Sequence, residues 1–377
     1  MIEVLLIIFL LIGALFAIVV FNARRSMAYV YCNATLSAWE ARLLSEVRLM
    51  ELADAPGVVN IFSALDDTDY RSQLAEISKA EEVDMVVVER ALRESLNARY
   101  RELLWMVPEE RKKTVGMVMQ RVDLWNLKVL VTAIHTKVPK EKRLEDLMPS
   151  PTLPREKLEM LASAEGFGAL LEFLKGSKYF DVLSAALKDY ERRGLIALLT
   201  ALDKHYYTSL WHDVLSKRAQ RPALKALVGY EIDALNIKLI LRLKQEGAPP
   251  EEIDKYLVSP PHELTDAMLK AMITAEDTRS AINIIHRTVY GQILLDALPQ
   301  VEAQGLRAAE KVLDEVHLKI CRWLALAKFF SIAPVLSYFY LKENEMRNLR
   351  VIIRLKADEV EPQKIKEAIA KVPKIEL

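Results

Sequence analysis

The sequence predicts an all-α fold of three homologous helical repeats of about 110 residues, preceded by one N-terminal transmembrane helix. Three observations predict it. Apolar residues make up 52 % of the chain while only 11 of 377 residues are glycine, a balance that favours helix over turn-rich β structure. One polar word is written three times, as "RVDLWNLKVLVTAIHTK" (121–137), "EIDALNIKLILRLK" (231–244) and "NEMRNLRVIIRLK" (344–356). The chain also opens on "IEVLLIIFLLIGALFAIVVF" (2–21), whose single charge is Glu3 at its outer end.

That opening run comes first in order. About 20 apolar residues at 1.5 Å rise match the roughly 30 Å of a bilayer core. A cleaved secretory signal needs a positive n-region, a shorter apolar run and small residues before the cut. Here the n-region is acidic, and Arg24 and Arg25 follow the run. The positive-inside rule keeps such arginines cytoplasmic. Residues 1–23 are therefore expected to span the cell membrane, with the bulk of the chain on its cytoplasmic face.

The remaining length is long for one core and suits two or three domains. Asn126, Asn236 and Asn348 of the polar word are separated by 110 and 112 residues, and residues far from the word recur at nearly the same period. "LADAPGVVNIFSALDDTDY" (52–70), "LASAEGFGALLEFLKGSKY" (161–179) and "MITAEDTRSAINIIHRTVY" (272–290) align without a gap. Each places a capping residue third (Asp54, Ser163, Thr274), then alanine, and ends in tyrosine (Tyr70, Tyr179, Tyr290). Between them Ile61, Phe62 and Leu65 match Leu170, Leu171 and Leu174, then Ala281, Ile282 and Ile285, the stripe of a helix with one buried face. An Asp, Ser or Thr ahead of it offers an oxygen to the first-turn N–H groups. A second helix follows around Leu92, Leu202 and Leu313, and "MVVVE" (85–89) is read as part of it. After each polar word come Pro139, Pro250 or Pro362 and a short charged helix. The proline-rich stretches "PSPTLPREK" (149–157) and "SPPHELTD" (259–266) fall between copies. The repeats are assigned to 24–146, 147–258 and 259–377.

Within the word the candidate residues are Asp123, Asn126 and Lys128; Asp233, Asn236, Lys238 and Lys244; and Glu345, Asn348, Arg350 and Lys356. Asn236 lies within the apolar stripe of Ile232, Leu239, Ile240 and Leu243. A buried amide left without a hydrogen bond costs about 1–3 kcal/mol. Each asparagine therefore either ties its helix to a neighbouring backbone or meets a partner directly. Lys128, Lys238 and Arg350 are expected to reach solvent or a partner. The first copy departs from the others, with Ile134 where they have Lys244 and Lys356.

Lysine plus arginine equals aspartate plus glutamate, 52 each, so no charge bias argues for nucleic acid. Cys32 and Cys321 match no metal or disulfide spacing. Asp, Asn and Lys at −3, 0 and +2 do not converge on one point of a helix, as an acid–base pair must. "GSKY" (176–179) lacks the phosphate-wrapping GxxxxGK[ST] frame, "LDDTDY" (65–70) is one residue short of a magnesium-holding DDxxD box, and the six histidines form no metal-ligand pair. No catalytic, cofactor or metal site is predicted, and the chain is not expected to be an enzyme.

With three helical repeats and three copies of Asn-x-Lys/Arg, the chain resembles the C subunit family of the archaeal-type (A/V-type) rotary ATP synthase/ATPase, counterpart of the d subunit of the vacuolar pump. The likeness runs from about residue 29 to 377 and is most specific at "EIDALNIKLILRLK" and "LKENEMRNLRVIIRLK". "YCNATLSAWEARLL" (31–44) looks like the family's opening helix, with Thr35 and Ser37 where basic residues are typical. The resemblance implies a pseudo-threefold funnel and a non-catalytic rotor part. One copy per complex would sit on the membrane proteolipid ring, receive the tip of central stalk subunits D and F, and transmit torque. It further implies that 2–21 lies in membrane lipid or threads the ring lumen. The competing reading is a membrane-anchored helical-repeat scaffold with unrelated partners.

Overall fold

The structure, a computed structural model, describes residues 2–74, 77, 83–216 and 221–372. Among them regular structure is helical throughout, with no strand. Seven long helices carry the architecture: α1 (Ile2–Glu40), α2 (Met85–Met106), α3 (Arg121–His135), α4 (Leu195–Ser216), α5 (Arg221–Gln245), α6 (Leu306–Ala327) and α7 (Ala333–Ala357). Further helices, the longest of them Lys178–Arg193, fill the spaces between them.

The run "MVVVE" opens α2, and Asp84 caps that helix by accepting from the Val86 N–H at 2.8 Å. The expected caps at Asp54, Ser163 and Thr274 are displaced. These residues close the preceding short helices, and the next helices start three residues later behind Gly57, Gly166 and Asp277. Of those three, Asp277 supplies a side-chain cap, to Ser280 N at 2.7 Å. The stripes that follow are buried: Ile61, Phe62 and Leu65, Leu170 and Leu174, and Ala281, Ile282 and Ile285 all lie in the core. Tyr70, Tyr179 and Tyr290 are buried as well.

The expectation for residues 2–21 is corrected. Among the described residues no helix is long and apolar enough to cross a membrane. The membrane-spanning segment, and the placement at the cytoplasmic face of a membrane that rested on it, are overturned by that finding. The apolar run is not a separate element: α1 continues through Arg24 and Arg25 to Glu40 without a break. The described side chains of its apolar part fall within 9–21, where Phe9, Leu10, Leu15, Phe16 and Phe21 are exposed. The other end of α1 is packed into the body, with Tyr29, Cys32 and Leu36 buried and contacts to α7. The Asn33 amide donates to the Phe329 carbonyl, and Arg111 Nε donates to the Tyr29 hydroxyl at 2.6 Å.

Three pairings join long helices that are apart in sequence. α3 packs on α4, α5 packs on α6, and α7, late in the chain, packs on α2, near its start. Each pairing is tied by a cation reaching a carboxylate. Lys128 meets Asp203 at 2.8 Å, Lys238 meets Asp314 at 2.5 Å, and Arg350 meets Glu89 at 2.9 Å.

Candidate functional site

The three asparagines make the same contact. Asn126 donates to the Met148 carbonyl at 2.7 Å and accepts from the Met148 N–H at 2.8 Å. Asn236 does so with Val258 at 2.9 and 2.8 Å, and Asn348 with Ala370 at 2.8 and 3.0 Å. Every partner lies 22 residues downstream, just past a short helix (Lys140–Arg143, Pro250–Tyr256 or Pro362–Ala368) and the turn that follows. Each amide is buried and holds both polar groups of one peptide residue, so neither is orphaned in the core. Asn236→Ala should lower stability by about 3 kcal/mol, because Val258 N–H and C=O are then left unpaired inside. Urea unfolding measures it, and a loss below about 1 kcal/mol would mean water replaces the amide.

The acidic residues three positions earlier hold the start of the following helical segment. Asp123 accepts from the hydroxyls of Ser150, at 2.5 Å, and Thr152. Asp233 accepts from the backbone N–H groups of His262, Glu263 and Leu264 at 2.8, 2.6 and 3.2 Å. Burial pushes the Asp233 carboxyl up to about 6 against the pull of those three donors. Gly229 makes room for this turn, since a Cβ there would overlap the His262 side chain. Glu345 reaches back across the whole chain. It accepts from Leu44 N and from the Tyr70 hydroxyl, both at 2.7 Å, and from Lys342 Nζ at 2.6 Å.

Lys128, Lys238 and Arg350 were expected toward solvent or a partner, and are turned instead to the carboxylates named above, each keeping a quarter to a third of its surface. Lys244 donates to the carbonyls of Ile273, at 3.0 Å, and Ala275. The matching carbonyls of Ala162 and Ala164 receive Arg143, at 3.5 and 2.5 Å. A residue nine positions past Ile134 thus does the work that Lys244 does in the second copy. Lys356 is half-buried in the last turn of α7, where a cation suits the unpaired carbonyls.

The eleven candidates do not converge on one point. Three residues that the sequence reading passed over do. Arg121, Glu231 and Glu343 each stand five positions before an asparagine of the word, on α3, α5 and α7. The Arg121 guanidinium pairs with Glu231 Oε1, and its Nε lies 3.4 Å from Glu343 Oε2. Glu231 is buried and also accepts from the hydroxyls of Tyr340 at 2.7 Å and Tyr207 at 3.1 Å. Burial opposes the charge of Arg121, but Glu343 and the surrounding tyrosines favour it and win, so its pKa is raised. Arg121 keeps 33 % and Glu343 26 % of its side-chain surface, so the cluster is open on one side. The available signal was positional: these residues share the period of the word but differ in charge, so a search for identical letters skips them.

His317 lies beside this cluster, its ring edge-on to Tyr340 with centroids 4.9 Å apart. Burial, then the Arg121 charge, pushes it down to about 3. In the unfolded chain a histidine sits near 6.5, so between these values the unfolded state binds the proton more tightly and stability falls as pH falls. From pH 7 to pH 5 this residue should remove about 2 kcal/mol. His317→Gln should abolish that part of the slope in urea unfolding at the two pH values, and an unchanged slope would contradict the assignment.

This arrangement ties elements together and offers one open charged cluster. The model of the ATP synthase (C/AC39) subunit family matches residues 32–368. The chain belongs to that family. The C subunit of the A-type ATP synthase of Methanocaldococcus jannaschii is 30% identical over 343 residues, 90% of this chain and 86% of the relative. Its counterpart in Thermococcus onnurineus is 31% identical over 350 residues, 90% of each, and that of Pyrococcus horikoshii 30% over 348 residues, 91% and 90%. Members of the family are non-catalytic subunits of an ATP synthase, and the partners of this chain are other subunits of that complex.

Proposed function

We propose that the chain is the coupling piece of an A-type ATP synthase rotor. Three helical units, 24–146, 147–258 and 259–377, are arranged about a pseudo-threefold axis as a funnel. Its opening receives the tip of central stalk subunits D and F, and its base seats on the proteolipid ring. One copy per complex passes torque between stalk and ring for proton or sodium ion transport. The observation that carries this reading is the meeting of Arg121, Glu231 and Glu343. Residues at one repeat position on three helices touch when those helices surround a common axis.

The word residues serve, on this reading, to keep the units in place rather than to touch the stalk. Torque is a lateral load, and a part that carries it must resist sliding of one unit past the next. The ion pairs Lys128–Asp203, Lys238–Asp314 and Arg350–Glu89 lie across the helix pairs where such sliding would occur. A linear helical-repeat scaffold is disfavoured because α7 packs back on α2.

The test is direct. The purified full chain mixed with purified subunits D and F of its complex should elute as one species with one copy of each, by size exclusion with light scattering. Separate elution of the folded chain and the stalk pair would overturn the proposal.

A further inference from the structure

We propose that the apolar half of α1 is an arm that seats in a socket closed around it on every side, built from apolar helices of one other subunit of the ATP synthase present in several copies. This goes beyond the coupling reading and needs only the chain's place in that complex.

From Val4 to Ala23 the sequence carries no charged side chain, and α1 runs through this stretch unbroken. Phe9, Leu10, Leu11 and Ile12 are each at least 60 % exposed. Successive helical residues are turned by about 100°, so these four cover every quarter of the helix surface. Leu15, Phe16 and Val19, further along, are exposed as well. A helix that lies in a groove, or pairs with a second copy of itself, keeps a polar face for water. The described side chains here leave no such face. A helix apolar all round is one that is enclosed all round. Packed helices lie 8–10 Å apart, roughly their own width, so about six are needed to close a shell around one. Like neighbours on every side are what a closed cyclic assembly of one repeated subunit offers.

The second observation lies where the arm meets the body. There α1 and the end of α6 run side by side in opposite directions. Asn33 donates to the Phe329 carbonyl, and Arg322 Nε lies 3.4 Å from Glu40 Oε1. At this joint Met27 and Tyr31 on α1, Trp323 and Leu326 on α6, and Phe330 just past α6 are all more than half exposed. These residues carry the apolar surface of the arm onto the body and form a shoulder for the mouth of the socket. Exposed aromatic clusters of this kind mark protein contacts, and Trp and Tyr dominate the energetics of such contacts. The direction of the arm is fixed, because α1 does not break at the joint and Tyr29, Cys32 and Leu36 are buried beyond it. Seating therefore needs no rearrangement of the body.

The experiment places a photoreactive benzophenone amino acid at residues 9, 10, 11 and 12, one at a time, in the assembled ATP synthase, and identifies the adducts by mass spectrometry. All four positions should cross-link, and all to the same other subunit. Adducts from one face alone would mean a groove, adducts to lipid a bilayer, and adducts to a second copy of this chain a pair of arms. Each of these overturns the socket, as does the absence of adducts at all four positions. In a second measurement, Ile12→Asp with Phe16→Asp should lower the amount of chain retained in the purified complex at least about 10-fold, since each carboxylate would be enclosed without a partner. Val47→Asp, at an exposed apolar residue on the helix Glu46–Asp54, should be retained as wild type is. Residues 12 and 16 are exposed, so urea unfolding of the isolated double variant should match wild type, which separates lost seating from lost folding. Wild-type retention of the double variant would overturn the proposal.

Discussion

Arg121→Leu should destabilise the protein by about 3–5 kcal/mol, because it leaves Glu231 buried with no counter-charge. The side chain serves two acids at once, pairing with Glu231 and lying 3.4 Å from Glu343, with its guanidinium 5.4 Å from the Tyr340 ring centroid. Removing it leaves Glu231 facing two tyrosine hydroxyls, which stabilise an anion less than a guanidinium does. The companion variant Arg121→Leu with Glu231→Leu should recover most of the loss, since a buried ion pair replaced on both sides is close to neutral. Urea unfolding of wild type, single and double variants decides between the two. A double variant no better than the single one would mean that the cluster's packing matters rather than its charge.

Glu345→Ala should cost a similar amount, about 3–5 kcal/mol, by a different route. Glu345 and Lys342 are 4 % and 3 % exposed, so the ammonium would be stranded in the core. The ammonium would keep its place over the Tyr70 ring, with Nζ 4.4 Å from the centroid. Leu44 N and the Tyr70 hydroxyl also lose their acceptor. Because this contact joins residues 301 apart in sequence, its loss loosens the closure of the last helical segment on the first. Hydrogen exchange at the Leu44 amide should therefore accelerate well beyond that at Val258 N, whose asparagine partner is untouched. Equal acceleration at both sites would argue for global unfolding without local opening.

The legible parts of this protein are those in which like residues do like work. Asn126, Asn236 and Asn348 recur because a buried amide clamping a backbone 22 residues on has one chemical solution. The helical stripes around Ile61, Leu170 and Ile282 were legible for the same reason, since burial needs only apolarity at helical spacing. The central cluster was not, because three repeat-equivalent positions that touch one another cannot all carry the same charge. Arg121 beside Glu231 and Glu343 is complementarity, which a search for repeated letters discards. Arg143 escaped too: it reaches carbonyls matching those Lys244 binds, but from another helix, so alignment reads Ile134 as a loss. The caps were misplaced by three residues because Asp54, Ser163 and Thr274 lie at helix ends on the wrong side of a turn. The apolar run at 2–21 is read from its length, apolarity and flanking charges as a membrane span, whereas no helix among the described residues is long and apolar enough to cross a membrane, and the helix that holds the run continues to Glu40 and is bound to the body beyond Arg25.

The measurement that tests the central claim most directly is an electron cryomicroscopy map of the ATP synthase that contains this chain. The coupling reading predicts one copy between stalk and ring, with stalk density entering the opening floored by Arg121, Glu231 and Glu343. A map with this chain on the periphery, or with the stalk reaching the ring without entering that opening, would contradict it.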